Sequence, residues 1–451
     1  MGRRHPANKI PAGSTSAHDA QRRPAGHDQR AHARGIQKVR QITEFSLQHI
    51  QIRKPWLAVS PQIKSVCTGA GGGDTGGYIA FNMILRFIVT CLAASVPVFA
   101  DPAKAPPAVH AGNLSPVVAP DRQVTFHFNA PNAREVKVSG EFGADVVLAK
   151  DDKGMWNGST GPVKPGVHEY RVKVDGLSVI DSGNPWVKPQ RWPSASILHI
   201  PSDPPAPWDL QDIPHGTVHA HDYFSGVLAR WRHVVVYTPP GYAKGTEALP
   251  VLYLSHGFSD NEGSWTVHGK AHWIMDRLIA DGKAVPMLIV MPDAHALPPG
   301  PGWKDEYADK NTDAFCRELV AEVAPLVESS YRVKADPAHR AFAGLSMGGR
   351  HALVVALEHN DFFSQVGAFS SAPPAEATIA KGTGDAAGTN GRLKLLWIAC
   401  GKDDFLFQKN QEFDAILTAK NINHEYAVTA GNHSWPVWRN YLVEFAPRLF
   451  R

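Results

Sequence analysis

The run Gly344-Leu345-Ser346-Met347-Gly348 constrains this chain more than any other part of it. It fits G-x-S-x-G, follows the short apolar run Ala341-Phe342-Ala343, and leads into a segment of helical character. That context predicts a strand, a sharp turn carrying Ser346, and a helix. A serine hydroxyl is a poor nucleophile in water, so a chain that uses one must expose the oxygen and set a base beside it. The elbow does the first: its glycines allow the bend, and the helix start directs N–H groups toward a developing oxyanion. A turn serine would satisfy the same five letters, so the reading depends on partners elsewhere in the chain.

Those partners occur downstream in the order acid, then histidine. Leu395 to Ala399 is apolar throughout and reads as a buried parallel strand. It ends in Cys400-Gly401-Lys402-Asp403-Asp404, which puts two carboxylates at the carboxyl end of a strand, where open α/β sheets place their chemistry. Either aspartate can orient a base, and the other is expected to cap the helix starting near Phe407. The chain has 22 histidines, so position alone selects none of them. His433 is selected by order and context: it follows the strand-like Glu425 to Thr429 and precedes a last helix expected over Val437 to Leu449. His424 lies at the opposite end of that strand and reads as structural. The oxyanion needs two donors: the N–H of Met347, and one from the turn Ser255-His256-Gly257-Phe258-Ser259 after the strand Pro250 to Leu254. Phe258 is the expected second donor and Gly257 the alternative.

From about Gly216 to Arg451 the chain resembles the esterase family of α/β-hydrolases that includes feruloyl esterases, acetyl xylan esterases and the enterochelin-esterase type, the family 1 carbohydrate esterases and their relatives. The matching pieces are Val236 to Tyr242, Leu254 to Gly257, Gly344 to Gly349, Leu393 to Gly401 and Gly431 to Trp435. The resemblance implies Ser346 as nucleophile, His433 as base and Asp404, rather than Asp403, as the acid. Asn432 stands where relatives often have glycine, a departure that bears on loop geometry. The implied activity is hydrolysis of carboxylic esters, feruloyl or acetyl esters on plant polysaccharide or oligosaccharide first. A siderophore or other small-molecule esterase is the alternative. A non-catalytic glycan-binding protein on the same fold is the competing class, and it would be expected to have lost a triad member or an elbow glycine. His256, Trp303 and Trp435 are candidates for contacting substrate. The mechanism requires no cofactor, and no Cys/His spacing suggests a metal site.

Ahead of this region, alternating runs at Val124 to Phe128, Glu135 to Val138 and His168 to Val174 predict a small β-sandwich. The stretches Asn129 to Ala133, Val138 to Phe142, Met155-Trp156 and Pro165 to Tyr170 resemble immunoglobulin-like early-set domains. The expected fold is therefore α/β: an α/β-hydrolase domain over 216–451, preceded by an all-β immunoglobulin-like sandwich over 114–200 and a Pro-rich linker over 201–215. Residues 101–113 read as a tether.

The beginning has a different character. Residues 1–82 carry 12 Lys and Arg against four acidic residues and read as a disordered basic leader. Residues 83–100 have a positive start, an apolar stretch too short to span a bilayer, and a small-residue end, as in a signal peptide. Met83 is therefore the expected start, with a mature protein near Asp101 that is secreted or periplasmic and not membrane-bound. Residues 1–100 hold 13 basic and 4 acidic residues, leaving 33 against 38, so the trimmed chain is about −5 rather than +4. The basic balance belongs to the leader and gives no case for nucleic acid. Cys316 and Cys400 remain after trimming, either paired or as two buried thiols.

Overall fold

The computed structural model describes residues 114–298 and 304–451. The leader, the signal-like segment, the tether and Trp303 lie outside the described residues.

Residues 114–200 form two facing antiparallel sheets. Strands β1 (Val117–Val118), β2 (Val124–Asn129), β3 (Val136–Gly140), β4 (Val146–Val147), β5 (Ala149–Lys150), β6 (Met155–Thr160), β7 (Gly166–Val174), β8 (Leu177–Val179) and β9 (Ser196–Ile200) follow one another. One sheet runs β1-β2-β6-β5 and the other β4-β3-β7-β8, with β9 on β7. Alternation decides the core: Val124, Phe126, Val136, Val138, Tyr170 and Val172 point between the sheets, while their neighbours face outward. The Pro-rich stretch 201–215 is pinned to the protein rather than loose. Asp209 accepts from Ser202 N–H, Ala206 N–H and His199, and Asp276 accepts from His215, Gly216 N–H and Tyr237.

The second unit is built on one sheet of β10 (Thr217–Ser225), β11 (Arg230–Thr238), β12 (Val251–Ser255), β13 (Leu288–Pro292), β14 (Arg340–Leu345), β15 (Gln365–Phe369), β16 (Leu395–Gly401) and β17 (Glu425–Thr429). Its order is β10-β11-β13-β12-β14-β15-β16-β17. The β10–β11 hairpin and the β11–β13 pair are antiparallel, and every later pair is parallel. Both faces are covered, which is why β12 to β15 are apolar at almost every position. On β12, Val251 and Tyr253 enter one core with Phe315, Phe342 and Phe363, whereas Leu252 and Leu254 enter the other with Trp265, Phe369 and Trp397. The last helix is Trp435–Phe445, shorter and earlier than the sequence suggests, because a 3-10 turn takes over at Ala446–Arg448. Among the described residues no helix is long and apolar enough to cross a membrane. Cys316 and Cys400 are buried free thiols, and burial raises both, Cys400 to about 12.

Candidate active site

Ser346 lies between β14 and the helix Met347–Glu358 with φ 53° and ψ −108°, a conformation that a side-chain-bearing residue adopts only under constraint. The constraint is visible. Ser346 N–H donates to Phe369 O at 2.8 Å, and Ser346 O accepts from Arg350 N–H at 3.0 Å. The flanking glycines serve a purpose other than the one read from the sequence. Neither has a positive φ; the unusual dihedral belongs to Ser346 itself. A Cβ on Gly344 would stand 2.4 Å from Gly348 O, and one on Gly348 would stand 2.6 Å from Ser255 O. They are required by close backbone packing of the elbow against itself and against β12.

The acid and the histidine come from the loops after β16 and β17. Asp404 Oδ1 and Oδ2 lie 3.0 and 2.9 Å from His433 Nδ1, and Leu406 N–H donates to Oδ1 at 2.8 Å. Burial raises the Asp404 carboxyl, but the hydrogen bonds from His433 and Leu406 outweigh it, and the group sits below the ordinary carboxylate range. Asp403 is exposed. The expectation that the aspartate not paired with the histidine caps the following helix fails. It is Asp404, through Leu406 N–H and its own carbonyl to Phe407 N–H, that organises the start of Phe407–Ala419. His424 is structural, with Nδ1 on Ile422 O and Nε2 on Asp414. The His433 ring is held between Phe405, 4.5 Å away, and the edge of Trp438, 4.9 Å away. Trp438 Nε1 in turn donates to Ser370 Oγ at 3.0 Å.

Ser346 and His433 line one cavity of about 820 Å³, together with Gly257, Phe258, Met347 and Asp260. Its far wall is Asp309, Arg350 and the segment 372–376, and Phe405, Leu406, Lys409 and Trp438 close the side next to His433. Among the described residues His433 is hydrogen-bonded through Nδ1 to Asp404, and no bond joins it to Ser346 Oγ. Arg350 bonds Asp309 and Pro373 O, tying two walls to the elbow helix.

Two candidate substrate contacts are corrected by this geometry. His256 is buried, with Ala294 N–H donating to Nε2 at 2.9 Å. The proton is therefore on Nδ1, which donates to Gly257 O at 2.8 Å, so the ring holds the turn instead of meeting a ligand. Asp260 N–H donates to the same carbonyl at 3.2 Å. A trans peptide directs its C=O and N–H oppositely, so these bonds aim the Phe258 N–H away from His256. Trp435 is 3% exposed and packs against Trp265, His268 and Trp438, with no surface on the cavity. One helical turn on, Trp438 takes the cavity position. Phe405, Trp438, Arg350 and Asp309 were not anticipated. Phe405 had a usable signal, since it directly follows the acid; the others needed the helix phase.

A serine elbow after a central strand, with an aspartate and a histidine paired on the loops after β16 and β17, is the arrangement of the α/β-hydrolase fold. The chain belongs to the Esterase family, whose model matches residues 225–449. It is 34% identical over 353 residues to the endo-1,4-beta-xylanase/feruloyl esterase of Xylanibacter ruminicola, covering 75% of this chain and 46% of that protein. The chain thus spans less than half the length of that relative. An acetyl esterase of Caldicellulosiruptor saccharolyticus is 24% identical over 232 residues, 44% of this chain and 82% of that one. Among solved structures, the enterobactin esterase FES of Shigella flexneri superposes with a TM-score of 0.52 at 17% identity, over 73% of this chain and 93% of its own. That likeness concerns the fold, and it covers more residues than the α/β unit holds.

Proposed function

We propose that this chain hydrolyses carboxylic esters by two-step acyl transfer through Ser346, His433 and Asp404, with aromatic feruloyl-type esters of plant polysaccharide as the leading substrate class. The observation that carries the reading is the two-oxygen grip of Asp404 on His433 Nδ1, which leaves Nε2 as the acceptor nitrogen of a ring that shares its cavity with a strained Ser346. Ser346 Oγ attacks the ester carbonyl while His433 Nε2 takes its proton, and Asp404 stabilises the imidazolium. The N–H groups of Met347 and Phe258 receive the oxyanion, with Gly257 shaping the turn between them. The C–O bond to the alcohol then breaks, and the alcohol oxygen takes the proton back from His433. Water repeats the sequence on the acyl-enzyme, releasing the acid and restoring Ser346. The open Ser346–His433 link fits a relay that tightens when substrate is bound.

Cavity size argues for a large acyl group. About 820 Å³ suits a drug-sized ligand, and an acetyl group would fill little of it. The two relatives, a xylanase/feruloyl esterase and an acetyl esterase, fall in the same two classes. The β unit is read as an immunoglobulin-like early-set domain, and the chain as exported after cleavage near Asp101. A panel of methyl ferulate, acetylated xylan and a catecholate siderophore ester tests the substrate reading. Methyl ferulate should give the largest kcat/KM, and Ser346→Ala should abolish it without loss of fold. Preference for the siderophore ester would replace the substrate class, and no turnover of any ester would end the hydrolase reading.

A further inference from the structure

The turn that carries the second oxyanion donor is not held by the α/β unit alone. Residues 189–191, which belong to the β unit between β8 and β9, lie along it as an added edge. Arg191 N–H donates to Ser259 O at 3.0 Å, and Gln190 pairs with Asp260 as an antiparallel bridge. Ser264 Oγ donates to Pro189 O at 2.8 Å, and Asn261 Nδ2 reaches Gln190 O at 3.4 Å. The Arg191 side chain then crosses to two more segments. One arm of its guanidinium donates to Leu297 O at 3.0 Å, and the other to Tyr307 Oη at 3.3 Å. These are the segments that support Phe258. Its ring meets His295 edge-on at 5.7 Å and Tyr307 edge-on at 6.1 Å.

We infer that Arg191 is a positioning residue of the oxyanion turn, and that the β unit is thereby a working part of the active site. This rests on the esterase reading above and extends it to a residue in the other unit. The argument is one of tolerance. An oxyanion donor acts only when its N–H lies about 2.7–3.1 Å from the developing charge. A displacement on the order of 1 Å costs about a hundredfold. Within the α/β unit the turn is held at Ser255 O by Trp265 Nε1–H and at Gly257 O by His256 and Asp260 N–H. On the far side of Phe258, the carbonyl of Ser259 is held from the β unit, by Arg191 N–H. The planar guanidinium then locks the two segments that sandwich the Phe258 ring, which one fork can do and a point charge cannot. Arg191 touches no reacting atom. It acts by keeping the Phe258 peptide from rotating.

The test compares wild type, Arg191→Ala, Arg191→Lys and Tyr307→Phe on p-nitrophenyl acetate, a substrate too small to need the β unit for binding. Arg191→Ala should lower kcat about tenfold with KM changed less than twofold. Lysine should restore only part of that, and Tyr307→Phe, which keeps the ring and removes the acceptor, should cost about threefold. Inhibition by phenylboronic acid, which forms a tetrahedral adduct on the serine, should weaken by the same factor as kcat. If Arg191→Ala does not fold, Tyr307→Phe and the boronate carry the test alone. Unchanged kcat and boronate affinity, or a lowered melting temperature as the sole effect, would overturn the inference. Wild type that neither turns over an ester nor binds boronate would instead sink the esterase reading.

Discussion

Replacing Asp404 with asparagine separates a triad acid from a loop-ordering carboxylate, because the structure dictates which way the amide must face. Oδ1 accepts from both Leu406 N–H and His433 Nδ1, and Oδ2 also meets Nδ1, with the Ser370 hydroxyl adding to the bonds that lower the carboxyl. In Asp404→Asn, Leu406 N–H keeps its bond only if the amide oxygen takes the Oδ1 position. The amide NH₂ then sits where Oδ2 was, about 2.9 Å from Nδ1, and presents a donor to a donor. His433 escapes by moving its proton to Nε2, the tautomer that cannot accept from Ser346. The opposite flip preserves the tautomer but leaves Leu406 N–H buried and unpaired, at about 1–3 kcal/mol. Neither arrangement retains the negative charge that stabilises the imidazolium. The combined loss should approach the ~10⁴-fold fall in kcat known for this change in a serine triad, or about 5.5 kcal/mol of barrier. Steady-state kinetics on p-nitrophenyl acetate, with circular dichroism confirming the fold, measure it directly. KM should change little. Asp403→Asn, at the exposed neighbour, should behave as wild type. An Asp404→Asn variant with more than a tenth of wild-type kcat, or a larger loss at Asp403, would refute the assignment.

Gly348→Ala would force a Cβ to within 2.7 Å of two backbone carbonyls, Ser255 O and His256 O, neither of which can move freely. It should lower the melting temperature by several degrees and reduce kcat at least tenfold; wild-type values for both would show the elbow to be slack. Burial holds His268 far below its ordinary value and His295 down to about 2. Both therefore stay neutral in the folded protein while the unfolded chain gains their protons below about pH 6.5. The unfolded state binds more protons in that window, so stability falls on acidification, by about 1.4 kcal/mol per pH unit for each histidine. Because each is already half-protonated at pH 6.5 when unfolded, urea titrations at pH 6.5 and 5 should differ by about 3 kcal/mol from these two groups. Buried His272 and His351 are depressed in the same way and add to the total, so His268→Phe should remove only its own share, about 1.5 kcal/mol, and equal slopes in variant and wild type would contradict the assignment.

Much of the site was legible because its chemistry lies on loops that follow apolar strands in chain order. Glu425–Thr429 and the helix start at Phe407 fall where the sequence places them, and the loops next to them bring Asp404 and His433 together. What escaped was orientation. Trp435 and Trp438 are three residues apart on one helix, and only its phase decides that the first enters the core and the second the cavity. His256 precedes a glycine in the expected turn, yet Ala294 N–H, 38 residues away, draws its ring inward. In the sequence the glycines of the elbow suggest a bend, whereas crowding by Gly348 O and Ser255 O is what selects them. The seam was less legible still. Arg191 meets Leu297 and Tyr307 across 106 and 116 residues, and no local pattern announces such a pair.

The most direct measurement is the site of covalent capture. A fluorophosphonate, followed by intact-mass and peptide mass spectrometry, should add once to the chain, at Ser346. Labelling should vanish in Ser346→Ala and slow by orders of magnitude in His433→Ala. An adduct on another residue, or unslowed labelling without the His433 imidazole, would contradict a serine activated by that ring.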